Sequence, residues 1–227
     1  MSKESDMLET YITKLKKSHM TPFIIFLMII IIIFNALGLI LSNGWADVPT
    51  MIYVLFGIWF ISCLIIMKQD SYNNIKVDKF SALRYLLVNL FAGYIQLVAF
   101  TAGYILGNAY THWNVLNYWL WVQFAIFISF LGLLLFCINE FHIVVKNAKT
   151  SLRILAILLK LVSIILIIYI NFIAPEIGEE TLYIWSVIIV LIVIDAFLIR
   201  SFFFYALVVG TLNGDFEQPG NASISEE

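Results

Sequence analysis

The chain has 227 residues, of which 62% are hydrophobic, 16% aromatic and 12% charged, and its formal net charge is −2. That composition, with a mean hydropathy of +0.97, excludes an ordinary water-soluble domain, in which about 45–50% of residues are apolar. The near-neutral balance argues against a nucleic-acid binder, which needs a basic face, and only two cysteines exclude a disulfide-built scaffold.

Residues 1–21 carry Lys3, Lys14, Lys16 and Lys17, with Leu8, Tyr11, Ile12 and Leu15 at helical spacing among them. This segment is read as a cytoplasmic N-terminal stretch whose cations orient the first membrane helix. The apolar run from Phe23 is too long for the core of a signal peptide and no A-x-A site comes after it, so the first helix is expected to stay in the mature chain.

A helix needs about 20 mostly apolar residues to cross a hydrocarbon layer of roughly 30 Å. Six segments between residues 22 and 209 meet that test: Pro22–Leu41, Thr50–Met67, Phe80–Gly107, Tyr118–Phe141, Leu152–Ala174 and Thr181–Val209. The unbroken run from Ile29 to Ile33 lacks the alternation of a membrane β-barrel strand. The expected fold is therefore all-α, a polytopic integral membrane bundle of six helices. Residues 210–227 hold Asp215, Glu217, Glu226 and Glu227 with no cation, the composition of an acidic, disordered tail.

Orientation is set by the connections, because cytoplasmic loops carry the Lys and Arg excess. Lys68, Lys76 and Lys79, with Arg84, fall between or beside the second and third segments, and Lys146, Lys149 and Arg153 between or beside the fourth and fifth. The other three connections, Ser42–Pro49, Asn108–Asn117 and Pro175–Glu180, contain no Lys or Arg, and the last holds Glu176, Glu179 and Glu180. Both termini are expected in the cytoplasm of a cell whose plasma membrane, that of a bacterium, holds the chain. Trp45, Trp113, Tyr118, Trp119, Trp121, Tyr183 and Trp185 are expected to form an aromatic belt at the outer surface.

Catalytic signals are missing. His19, His112 and His142 lie in three different segments, Cys63 and Cys137 have no ligand-type neighbours, and no nucleophile elbow or phosphate-binding glycine loop is present. No metal site and no cofactor are expected, and a non-enzymatic role is favoured.

Intramembrane polar residues carry the remaining information, because a charge at the bilayer centre costs at least ~2.5–3.5 kcal/mol. Lys160 falls about 12 Å below the cytoplasmic edge, and Asp195 about 20 Å from the outer end of its helix, which puts the two at one level. They are expected to form an ion pair between the fifth and sixth helices, as a staple of the bundle or as part of a proton or ligand site. Arg200, five residues beyond Asp195, points away from it and is expected to reach the inner headgroups. Arg84, Glu140, His142 and Arg153 join Arg200 as a polar cluster at the inner face. Asn35, Asn89, Gln96, Gln123 and Asn171 supply amides for bonds between helices. Ala99, Gly103 and Gly107 form a small-residue stripe for close helix contact, within the chain or in a homo-oligomer.

These features favour a non-catalytic protein that acts by contact with a membrane partner, an immunity or accessory protein against a membrane-acting toxin. A small-solute permease with a polar site around Lys160 and Asp195 is the alternative. Besides the lipid bilayer, the expected partners are a membrane protein or toxin, and no nucleic acid. Topology gives the first test. Tags at both termini should report cytoplasm and reporters at Asp47 or Glu179 should report the outside; an external C-terminus would overturn the six-span count.

Overall fold

The computed structural model describes residues 20–42, 48–69, 78–108, 115–143, 147–174 and 181–213. The segment 1–19, His112, Lys146, the acidic turn with Glu176, Glu179 and Glu180, the belt residues Trp45 and Trp113, and the tail 214–227 lie outside the described residues. The described residues form six α-helices: α1 (Met20–Ser42), α2 (Thr50–Gln69), α3 (Lys79–Gly107), α4 (Val115–Glu140), α5 (Thr150–Ile173) and α6 (Leu182–Asn213). Each is long and apolar enough to cross a membrane.

The helices run past the limits that hydropathy suggests, α4 and α6 by the most. α4 begins at Val115 rather than Tyr118, and α6 continues to Asn213, past residue 209. Hydropathy marks the part of a helix that lies in lipid, whereas backbone hydrogen bonding carries on wherever the next residues accept it. α3 has a defined start, since Asp78 caps it by accepting from Ser81 N at 2.7 Å and Ser81 Oγ at 2.8 Å. Lys79 Nζ then donates to Asn213 Oδ1 at 2.8 Å, tying the last residue of α6 to the first of α3.

At 1.5 Å per residue, the 29 residues of α3 and 32 of α6 give lengths of about 43 and 48 Å, more than a 30 Å core needs. α2 ends at Gln69, whose amide donates to Asn89 Oδ1 at 3.2 Å. The first ten residues of α3, about 15 Å, therefore extend beyond the end of α2. A separate small apolar cluster there, Ala82 and Tyr85 against Phe204, Leu207 and Val208, holds the extension together.

α3 is the hub. Of its most apolar 18-residue window 67% is buried, against 22% for α5, and it packs on α1, α2, α4 and α6. Small residues permit this. A Cβ on Gly38 of α1 would lie 3.5 Å from Gly103 O and 3.6 Å from Gly107 N, so the stripe Ala99, Gly103, Gly107 faces α1 of the same chain, and Asn35 Nδ2 donates to Ala99 O at 3.1 Å. On its other flank the stripe takes the ring of Tyr183 from α6: a Cβ at Gly103 would stand only 2.0 Å from Tyr183 Cε1. The Tyr183 hydroxyl crosses over to donate to Phe34 O at 2.6 Å.

The packing is uneven. α4 and α5 form the most extensive helix pair, and α3 with α1, α2 and α6 makes a second group, while α4 and α5 touch α3 and α6 far more thinly. The bundle is thus a two-helix hairpin docked on a four-helix unit. Within the hairpin, Gly132 brings the backbones together, since a Cβ there would meet Ala156 O at 2.9 Å and Lys160 Cγ at 3.1 Å. Ser163 Oγ donates to Ala125 O at 2.7 Å along the same contact. α1, α2 and α5 turn apolar faces outward, with Phe26, Phe60 and Leu158 each half exposed.

Two glycines separate a tight contact from open space. Gly103→Leu must expel the Tyr183 ring and is expected to destabilise by about 1–3 kcal/mol or more. Gly57→Ala, with no atom within 4 Å of the added carbon, should be neutral or slightly stabilising, because Ala suits a helix better than Gly. Denaturant titration in micelles reads both; a Gly103→Leu protein as stable as wild type would contradict the contact.

Candidate functional site

In hydrocarbon a charged side chain has no water to fall back on, so its partners must come from neighbouring helices. Lys160 projects from α5 with its aliphatic stem lying across Gly132 of α4. Its ammonium donates to Ser129 Oγ of α4 at 2.7 Å and forms an ion pair with Asp195 Oδ2 of α6. The other carboxylate oxygen, Oδ1, accepts from the Tyr94 hydroxyl of α3 at 2.8 Å. Tyr94 is itself steadied by an edge-on contact with Phe130 of α4, ring centroids 5.1 Å apart. Four helices thus meet at one group of four side chains. The pair is not sealed, since 25% of the Lys160 side chain and 14% of Asp195 remain accessible, and the two helices that carry them pack thinly on each other.

The amides around α3 form further links. Asn89 donates to Ser201 Oγ of α6 at 2.9 Å while accepting from Gln69 of α2. Gln96 accepts from Trp59 Nε1 at 2.7 Å and donates to Cys63 Sγ at 3.3 Å, both on α2. Thr101 Oγ1 accepts from Trp119 Nε1 at 3.1 Å and from Gln123 Nε2 at 3.0 Å, joining α3 to α4. Trp119 corrects the expected aromatic belt: it is buried, 7% exposed. Its indole N–H is satisfied inside the bundle, where a hydroxyl on α3 outcompetes the headgroup region. Trp121 and Trp185 do face outward. Asn171 Oδ1 is buried without a hydrogen-bond partner.

The five residues expected at the inner face separate. Arg153 grips Glu140 with both prongs, Nε to Oε1 and Nη2 to Oε2 at 2.7 Å each, and Asn139 adds a bond to the same carboxylate at 3.0 Å. This closes the α4–α5 hairpin, though solvent screening leaves an exposed pair of this kind little net stabilisation. His142 has a backbone role. Its φ of 53° is left-handed, and the Ile143 N–H bonds back to Ile138 O at 3.2 Å, the turn that stops α4. Arg84 and Arg200 are exposed on α3 and α6, apart from the Glu140–Arg153 bond.

Tyr94 and Ser129 have no counterpart among the expected site residues. A lone hydroxyl in an apolar helix carries no sequence signal of its own. Tyr94 sits in the Ala92-Gly93-Tyr94-Ile95 tetrapeptide that recurs as Ala102-Gly103-Tyr104-Ile105, and only its depth, one helical turn and a half beyond Asn89, hints at Asp195. Among the described residues no group of three or more His, Cys, Asp or Glu side chains could hold a metal ion.

Residues 9–218 match the model of a family described as a domain of unknown function, DUF5079. No curated protein and no solved structure matches the chain.

The neutral partners can be weighed by removal. A hydrogen bond to a charged group contributes about 1.5–3 kcal/mol. Tyr94→Phe and Ser129→Ala should each destabilise the bundle by about that amount in a micelle unfolding titration, and together more than either alone. If both single variants unfold with wild-type midpoints, the hydroxyls do not support the pair.

Proposed function

The chain belongs to the DUF5079 family, and we propose that it is a non-catalytic integral membrane protein acting by contact with a partner in the bilayer, an immunity or accessory protein against a membrane-acting toxin. It sits in a bacterial plasma membrane with both termini in the cytoplasm. One observation carries this reading: the charges of Lys160 and Asp195 are satisfied within the chain. Both oxygens of Asp195 are engaged, by Lys160 and Tyr94, and Lys160 also reaches Ser129. A pair so completed acts as a staple, and the outward faces of α1, α2 and α5 are left as the surface offered to another membrane protein.

A second reading, a small-solute permease, is favoured by one specific feature. The charged group lies on the line where a two-helix hairpin meets a four-helix unit, and transport sites form where two helix groups meet at membrane depth. The two units are unequal in helix number, which weakens that analogy.

Photo-reactive residues at Ile32 in α1, Phe60 in α2 and Leu158 in α5, all half exposed, test the first reading in the native membrane. A protein adduct confined to the face of one helix is expected, together with protection of growing cells from a membrane-acting toxin produced in the same cells. Lipid adducts alone at all three positions, with solute uptake changed in the absence of any toxin, would replace this reading with the permease.

A further inference from the structure

The Lys160–Asp195 pair belongs half to each structural unit. Lys160 is fixed to the hairpin: its stem crosses Gly132, its ammonium bonds Ser129, and one turn on, Ser163 bonds Ala125 O. Asp195 is fixed to the four-helix unit, where Tyr94 holds it and Gly93 lets the Leu198 and Ile194 side chains of α6 close on α3 at 3.2–3.4 Å from where a Cβ would stand. Across the line between the units the specific contacts are few. Thr101 meets Trp119 and Gln123 toward one end, where Phe172 of α5 also meets Trp185 of α6 edge-on at 6.1 Å, Phe141 meets Phe203 edge-on at 5.7 Å toward the other, and the ion pair and the Tyr94–Phe130 contact lie between them.

We propose that this junction is a proton-operated latch: protonation of Asp195 releases Lys160 and lets the α4–α5 hairpin part from α3 and α6, pivoting on the Thr101–Trp119–Gln123 bonds. The inference is independent of which functional reading holds. The proton comes from the aqueous phase and ends on the Asp195 carboxyl, so a group that carried opposite charges in balance acquires a net positive charge. An unbalanced ammonium in hydrocarbon is strongly unfavourable. Its relief is to leave Asp195, a move for which a quarter of the Lys160 side chain is already accessible, and Ser129 and Gly132 ensure that it takes α5 and α4 with it.

The titratable groups facing Asp195 are Tyr94 from α3, Lys160 from α5 and the Cys137 thiol of α4, which lies close enough to sense both charges. α1 has no titratable side chain. Lys160 is the one cation among these groups, so no other charge takes over the role of Asp195 once it is protonated.

Spin labels at Leu87 of α3 and Ile154 of α5, both about half exposed, report the separation in lipid nanodiscs, with Cys63 and Cys137 replaced by alanine. The protein should give one short distance at neutral pH and a second, longer distance in acid. Asp195→Asn should show the longer distance at neutral pH, and the double variant Lys160→Met with Asp195→Leu should keep the short distance at both. An acid-insensitive distance in the parent protein overturns the proposal, as does an acid response in the double variant equal to the parent's. Should Asp195→Asn fail to accumulate, the comparison of parent and double variant across pH decides alone.

Discussion

Hydrocarbon cannot solvate a lysine ammonium or an aspartate carboxylate, and that constraint organises this bundle. Lys160 and Asp195 form an ion pair between α5 and α6, and Ser129 and Tyr94 take up hydrogen-bonding positions that each charge leaves over. The four side chains come from four helices, so the requirement to complete two charges also dictates how α3, α4, α5 and α6 are placed. The geometry on either side is constrained in turn. Gly132 must be small for the Lys160 stem to pass, and Gly93 must be small for the α6 side chains next to Asp195 to close on α3.

The rest of the architecture depends on α3. With no hydrophobic drive between helices in lipid, association relies on close packing and on side-chain hydrogen bonds. α3 supplies both, through Ala99, Gly103 and Gly107 toward α1 and through Asn89, Gln96 and Thr101 toward α2, α4 and α6. α5 has none of its own bonds to α3 in this network and reaches the four-helix unit through Lys160 and through an edge-on contact of Phe172 with Trp185 of α6. The thinness of that junction gives the ion pair its leverage: where the surrounding packing is slight, leaving one of the two charges without its partner weighs heavily on the contact between the units.

Much of this was legible in the sequence because the bilayer reduces the problem to length and depth. Twenty-residue apolar runs mark the six helices, and counting 1.5 Å per residue from two opposite ends brought Lys160 and Asp195 to one level. Depth says nothing about rotation. The direction in which Tyr94, Ser129 and Trp119 point depends on how the helices turn about their axes, which packing decides and periodicity in an apolar segment does not reveal. For that reason Trp119 read as an interfacial residue when it bonds Thr101, and Arg84, Glu140, His142, Arg153 and Arg200 read as one inner-face group within which the bond is that of Arg153 to Glu140. His142 was conspicuous as a titratable group, yet its contribution is a left-handed backbone turn, which no charge pattern encodes.

The central claim is that Lys160 and Asp195 depend on each other. A double-mutant cycle with Lys160→Met, Asp195→Leu and the two combined, with unfolding measured in lipid-like micelles, reads that dependence directly. Each single change leaves one buried charge alone and should cost about 3–5 kcal/mol, whereas the combined change should be nearly neutral, giving a large favourable coupling. If the two single effects are small, or simply add in the double variant, the residues act independently and the ion pair does not hold the bundle together.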